Sequence, residues 1–380
     1  MGPCVETDPL DAIKQLVSRG VNHPDAVIAN AGVVLSEADH KVSEVTIDEI
    51  QRHFPVDTFG MLLLFQATLP LLKESKNPKF MSVAPARDRF HSILISGHNV
   101  YALVRDPSCE KAKRVQLMGA KLVKGDFNDI ESLCVAMRGM DGVFLNLPTQ
   151  LGADAARNVV TAARESPTVS TMVASTVVKA GQHESFPRWS PQWSMYKYWL
   201  EKDAMEKCVR NAGFQYWTIV RPTRFLQNIL PPNNTFNYPG FDKDKTLRGA
   251  FKPEARIPWI DARDVGVVAA AALSQPEKFT GRHIDLAVES LTTREFADKI
   301  ETSIGSTVEV HYYTADEIAA MPNSMMADAQ IWACEVPHDE AVEASREFGL
   351  NSVDNFLREY KVREYPPMHF ERMDPWGFHW

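Results

Sequence analysis

The chain has no glycine between Gly60 and Gly97, and none of its 19 glycines falls into a G-x-G-x-x-G spacing anywhere in 380 residues. That absence excludes an ordinary glycine-rich phosphate loop, whose bare backbone lets a pyrophosphate approach a helix N-terminus. Cysteine is sparse as well: Cys4, Cys109, Cys134, Cys208 and Cys334 are odd in number and never spaced C-x-x-C. Such usage reads as a reduced protein without disulfides or structural zinc. Excess positive charge is missing, and a formal net charge of −8 argues against a general nucleic-acid surface. Long hydrophobic runs are absent too. The longest, 60–72, is interrupted by Gln66 and Pro70 and is too short to span a bilayer. Residues 1–10 are acidic and lack an apolar core, so no secretory signal is read. The expectation is a soluble, cytoplasmic protein with no membrane partner.

What is present is ordinary globular material, 44% hydrophobic and 24% charged, enough for a sizeable core. Apolar spacing predicts a helix over 10–20 and a buried strand over 25–32, then a helix from about Thr46 to Glu74 limited by Pro55 and Pro70. Residues 79–85 read as another strand. From Arg87 the alternation becomes regular. Helix 87–96, strand 98–105, helix 108–118, strand 120–126, helix 130–138 and strand 141–148 follow one another. Helix 151–165, strand 170–177, helix 194–212 and strand 216–222 complete the series. Strands alternating with helices of this length predict an α/β fold, a doubly wound Rossmann-type parallel sheet. Residues 223–255 read as loops, Arg256–Gly266 opens an Ala/Val helix, and 281–321 reads as strand, helix, strand and helix of a small α/β substrate lobe. The aromatic, proline-rich end 366–380 reads as a docked or flexible tail.

Tyr198 and Lys202 stand at i and i+4 of the helix 194–212, so the phenol and the ammonium share one face. A neighbouring ammonium favours the phenolate and lowers a tyrosine pKa toward neutrality. Ser175 and Thr176 end the preceding strand, where a hydroxyl can hydrogen-bond a carbonyl under reduction. Ser175 or Thr176, Tyr198 and Lys202 thus suit a carbonyl-reduction triad. The plain alternative is a packing tyrosine beside a solvated lysine.

Six segments carry a resemblance: ALVRDP (102–107), MGAKLVKGD (118–126), GVFL (142–145), KDAME (202–206), TIVRP (218–222) and WIDARDVG (259–266). On these the chain, from about 87 to 328, resembles the NmrA-like group of atypical short-chain dehydrogenase/reductases. The resemblance implies NADP(H) as cofactor, with Arg105 facing the adenosine 2′-phosphate. It places Asp126 and Phe127 by the adenine, and Asn146, Leu147, Pro148 and Thr149 along the cofactor's middle. It sets Lys202 at the nicotinamide ribose and Phe225, Leu226, Gln227 and Asn228 beside the nicotinamide. A surface ion pair with Asp106 or Asp126 is the alternative role for Arg105. No metal site is implied. Residues 10–85 resemble instead the middle of an ordinary short-chain dehydrogenase, with Asn30-Ala-Gly32 and Phe54–Gly60 as the matching segments and Asp57 where that family has Asn.

The resulting expectation has four parts: a partial dehydrogenase-like segment 1–85, a cofactor-binding domain 86–275, a substrate lobe 276–335, and a C-terminal helix and tail 336–380. Residues 79–85 would supply the first strand of the NmrA-like sheet, leaving Pro85 and Ala86 at the phosphate turn, where pyrophosphate approach is obstructed. The implied activity is NADPH-dependent reduction of a carbonyl or enone of a small, aromatic or polyketide-like molecule. Two other readings stand beside it: an NADP-sensing regulator that binds a protein partner, and a degenerate reductase without a phosphate loop.

Overall fold

The computed structural model describes residues 99–117, 119–147, 151–231, 233–321 and 324–360, and the backbone of two strands at 26–29 and 79–82. The chain divides into two compact units, Met1–Ala86 and Arg87–Trp380. In the first, β1 (Ala26–Ala29) and β2 (Lys79–Ser82) form a parallel pair. The ladder of Lys79–Ser82 runs to the apolar strand before it in sequence. Consecutive strands pair or neighbour one another more often than not. The expected helix 87–96, Asn30, Pro85, Ala86 and the tail 366–380 lie outside the described residues.

The second unit holds a four-stranded parallel sheet with the order β11-β7-β6-β5. Its strands are β5 (Gly142–Leu145), β6 (Thr171–Ser175), β7 (Tyr216–Pro222) and β11 (Arg282–Leu286). A separate parallel pair joins β3 (Tyr101–Val104) to β4 (Lys121–Lys124), with helix α1 (Glu110–Leu117) between them in sequence. Among the described residues no strand bridges β3 to β5, the place of the first strand in a doubly wound sheet. The sequence expectation that the strand near 281 opens the substrate lobe is corrected, because β11 pairs with β7 from Arg282↔Thr218 to Leu286↔Pro222. Its Ile284 and Leu286 are buried in the same cluster as Val220 of β7, which fixes it to the sheet.

Alternation along the strands builds a core on each face. Met172 and Ala174 of β6 and Ile219 of β7 enter one cluster with helix α2 (Ile130–Ala136) and helix α3 (Gly152–Glu165). Val173 and Val220 enter the other, with Val265, Val268 and Ala272 of helix α5 (Ala262–Ser274). Between α3 and β7 runs helix α4 (Tyr196–Asn211), which sends Met205 and Val209 into the first cluster. The starts of α2 and α5 are set by Asp129 and Asp261, whose carboxylates accept from backbone N–H groups of the first turn.

Beyond β7 the segment expected to be loops carries structure. Strand β8 (Arg224–Phe225) pairs with β10 (Ile257–Ile260), and β10 pairs with β12 (Glu289–Leu291). Strand β9 (Thr246–Gly249) runs parallel to β13 (Glu309–Tyr312). Helices α6 (Thr293–Ile304), α7 (Met325–Glu335) and α8 (Val353–Tyr360) cover them. Trp199, Trp259, Phe296 and Phe356 fill the resulting aromatic core. No helix among the described residues is long and apolar enough to cross a membrane.

Candidate functional site

The ends of β3 and β4 lie side by side because Val104 is in register with Lys124. Gly125 follows, its N–H donating to Val104 O at 3.0 Å. A Cβ at Gly125 would stand 2.7 Å from Leu103 Cδ1, so a larger residue here would displace the end of that leucine side chain. The chain then turns sharply. Asp126 Oδ1 accepts from Asn128 N at 2.9 Å, and Ser132 Oγ accepts from Asp126 N at 2.9 Å. The result is a cleft of about 290 Å³ lined by Arg105, Lys124, Gly125, Asp126, Asp129 and Ser132 at the carboxyl ends of two parallel strands, the edge at which open α/β sheets take ligands.

Arg105 is exposed there, and Asp106, one of its two alternative ion-pair partners, accepts from both N and Oγ of Ser108. Hydrogen bonds from Ser108 hold the Asp106 carboxyl below its ordinary range. Asp126 lines the cleft as expected. Phe127 is half-buried against the sheet core, and its carbonyl accepts from Asn158 Nδ2 at 2.8 Å. Sequence reasoning missed Lys124; the signal was present, since two adjacent strands ending at Val104 and Lys124 must bring their following residues together.

The strand-end hydroxyls differ from expectation. Ser175 is 2% exposed at the end of β6. Thr176 does not present its hydroxyl to a ligand: Oγ1 donates to Glu206 Oε1 at 2.7 Å. Glu206 is itself clamped by Arg221, whose Nε and Nη2 donate at 2.9 and 2.5 Å. His283 Nε2 lies 3.7 Å from the same carboxylate, and burial, aided by Arg221, pushes its pKa below the ordinary value. A carboxylate that is 1% exposed needs every available donor, and the Thr176 proton is one of them.

Helix α4 brings Tyr198 and Lys202 together: the Lys202 Nζ lies 5.8 Å from the centre of the Tyr198 ring. The expected lowering of the phenol pKa is overturned, because burial pushes Tyr198 well above its ordinary value. The ammonium stands over the ring, and desolvation of the phenolate dominates. Next to Lys202, Glu201 accepts from the N–H of Ala153 at the start of α3. Gly152 precedes it with φ +67°, a left-handed turn that brings the helix N-terminus onto this carboxylate. Glu201 is a second residue that sequence reasoning passed over.

Asn146 is exposed after β5, whereas Leu147 is 6% exposed and belongs to the sheet core. Pro148 and Thr149 lie outside the described residues. Phe225 is half-buried against the α5 cluster, and Leu226 is fully buried in the aromatic core, so its side chain faces no ligand. Gln227 is committed at both ends of its amide, donating to Asp261 Oδ1 at 2.7 Å and accepting from Ala262 N at 3.0 Å. It pins the segment to the start of α5. Asn228 is half-buried.

A four-stranded parallel sheet with helices on both faces, and a parallel strand pair whose carboxyl ends carry a charged cleft, define a Rossmann-like α/β fold. The chain belongs to the NmrA-like family, whose profile matches residues 89–351. It is similar to an NAD(P)H azoreductase of Xenophilus azovorans, 27% identical over 60% of this chain and 75% of that protein. It is also similar to the short-chain dehydrogenase srdF of Neurospora crassa, 40% identical over 20% of this chain and 30% of that protein. The chain thus spans about a third of that second relative. Among solved structures, NmrA, a negative transcriptional regulator, in complex with NADP has a TM-score of 0.57 at 20% identity, covering 73% of this chain and 92% of that one. That likeness shows the fold.

Proposed function

We propose that this protein is an NADPH-dependent oxidoreductase that reduces a carbonyl or enone of a small, aromatic or polyketide-like molecule. The observation that carries the reading is the face of α4, where Tyr198 and Lys202 meet one turn apart. The cleft fits the adenosine end of the cofactor: Arg105 and Lys124 supply two cations for a 2′-phosphate, and Asp126 and Asp129 supply acceptors. Bound NADPH would supply the hydride. Lys202 would hold the nicotinamide ribose. Tyr198, kept protonated by burial, would give its proton to the developing alkoxide. Ser175 is the hydroxyl left to orient the carbonyl, since Thr176 is bonded to Glu206. The azoreductase relative supports reductive chemistry by its name.

The test begins with NADPH and NADH titrations followed by nicotinamide fluorescence, with NADPH expected to bind more tightly. Equal affinities would remove the role given to Arg105. Turnover of aromatic ketones and enones should then fall by roughly 10²–10⁴ in Tyr198→Phe with cofactor affinity nearly unchanged. Lys202→Met should lower both. Normal turnover in Tyr198→Phe would move the proton donor elsewhere.

A second reading, an NADP-sensing regulator with a protein partner, is favoured by the commitment of Thr176 to Glu206. It requires tight NADPH binding and no turnover of any carbonyl substrate. Failure to bind either cofactor would favour the degenerate reductase.

A further inference from the structure

Arg224 lies two residues past the end of β7, and the β8–β10 ladder sets it opposite Trp259. Its guanidinium carbon lies 5.1 Å from the ring centre of Phe251, 5.5 Å from Trp259 and 5.6 Å from Tyr238. All three rings are buried. The side chain donates from Nη2 to the neutral Oδ1 of Asn237 at 3.0 Å, and its charge lies beside the Tyr238 hydroxyl, where it opposes the burial that raises that phenol. Nε is buried with no acceptor, and no carboxylate pairs with this guanidinium among the described residues. Arg221, Arg248, Arg256 and Arg263 each hold a carboxylate. Arg224 stands apart from them.

A half-buried cation without a counter-charge is costly, and aromatic faces compensate it only partly. Rings stacked on a guanidinium use its faces and leave the in-plane N–H donors unfilled. The holder is rigid. Asn237 Nδ2 donates to Asn233 O at 2.9 Å, and Asn237 O accepts from Gln330 Nε2 at 3.2 Å. Asn237 thus holds one end of the guanidinium before any ligand arrives, and an anion accepting a charge-assisted hydrogen bond suits the unpaired cation. Tyr198, the proposed proton donor, packs against the same aromatic cluster that contains Tyr238, Phe251 and Trp259.

We propose that Arg224 anchors a carboxylate carried by an aromatic substrate. The word substrate rests on the reductase reading above; the anion contact does not. The experiment is calorimetric titration of the full chain, without cofactor, by 2-naphthoate and by its neutral isostere 2-naphthamide. Naphthoate should bind at least about tenfold more tightly, the effect of one charge-assisted hydrogen bond. Arg224→Met should bind both alike and melt no lower than the unaltered protein, because an apolar side chain fills the aromatic box without an unpaired charge. If Arg224→Met does not fold, Arg224→Gln, which keeps a donor for Asn237, must lose the preference as well. Equal affinity of the unaltered protein for the two ligands, no saturable binding of naphthoate, or a preference that survives these substitutions overturns the anchor. A naphthoate preference without carbonyl reduction keeps the anchor and removes the reductase reading. Reduction of neutral aromatic ketones without that preference does the reverse.

Discussion

The cleft at Arg105 and the cluster at Thr176 both lie at carboxyl ends of parallel strands, yet they use charge in opposite ways. In the cleft, Arg105 and Lys124 sit on exposed strand ends, and backbone turns shape the wall. In the cluster, Glu206 is 1% exposed and takes hydrogen bonds from Thr176 and twice from Arg221. The first arrangement keeps its cations at the surface, beside the carboxylates of Asp126 and Asp129. The second spends a hydroxyl and a guanidinium on satisfying one buried carboxylate. A strand-end hydroxyl is therefore a catalytic candidate only after its neighbours have been counted.

The largest effect should come from breaking the buried side of this comparison. Glu206→Ala takes from the Arg221 guanidinium its nearest carboxylate, leaving it Asp285 at 3.9 Å and the Ala180 carbonyl, and loss of one partner of a buried pair costs up to about 3–5 kcal/mol. Urea denaturation should show that loss, while Arg105→Ala should leave stability nearly unchanged. A small change in Glu206→Ala would mean that the network is wet and that the Thr176 hydroxyl is available to ligands after all.

Asp264 sharpens the same contrast through pH. Burial, with Asp261 beside it, pushes its carboxyl up to about 7. Between the ordinary carboxylate range near pH 4 and that value, the folded chain holds a proton that the unfolded chain has released. Stability from this group is thus fully present below about pH 4 and is lost as pH rises toward 7, with a slope of at most about 1.4 kcal/mol per pH unit. Asp261 acts with the opposite sign at lower pH, because hydrogen bonds from Arg263 outweigh its burial and depress its pKa. Denaturation midpoints measured from pH 4 to 8 should fall in the unaltered protein and flatten in Asp264→Asn. An unchanged slope would place the titrating group elsewhere.

On the cleft side, Arg105→Ala should weaken NADPH by about 10–100-fold and NADH hardly at all, the range for a charge-assisted phosphate contact. Parallel losses for both cofactors would show that Arg105 shapes the cleft without reading the phosphate.

Much of the fold was legible because period-2 and helical patterns report burial directly. The strand read at 216–222 is Tyr216–Pro222, and the helix read at 151–165 begins one residue later, at Gly152. The segment 223–255 reads as loops in sequence because its short strands take their partners from far along the chain, β9 from Glu309–Tyr312. Local spacing carries no such information. The strand at 282–286 was identified but given to the lobe, since its apolar pattern does not say which sheet edge receives it. At the candidate site, Tyr198 and Lys202 are legible from i, i+4 spacing together with their place on the helix after the strand that ends at Ser175 and Thr176. The direction of the Tyr198 pKa is not, because it depends on what buries the phenol. Nor is the commitment of Gln227 to Asp261, residues 34 apart in sequence.

Lys124 gives the smallest and most specific test of the cleft. It was not among the residues expected to bind cofactor, and only the register of β3 with β4 brings it beside Arg105. A lysine acts on phosphate as a flexible point charge, whereas arginine presents a fixed fork, so its removal should cost less. Lys124→Ala is expected to weaken NADPH by about two- to fivefold at low salt, a surface-screened contribution that shrinks as ionic strength rises. NADH affinity should not move. Titrations at two salt concentrations distinguish the cases: a loss that persists at high salt would mean a direct, desolvated phosphate contact, and no loss at either would leave Arg105 as the cleft's cation for the 2′-phosphate.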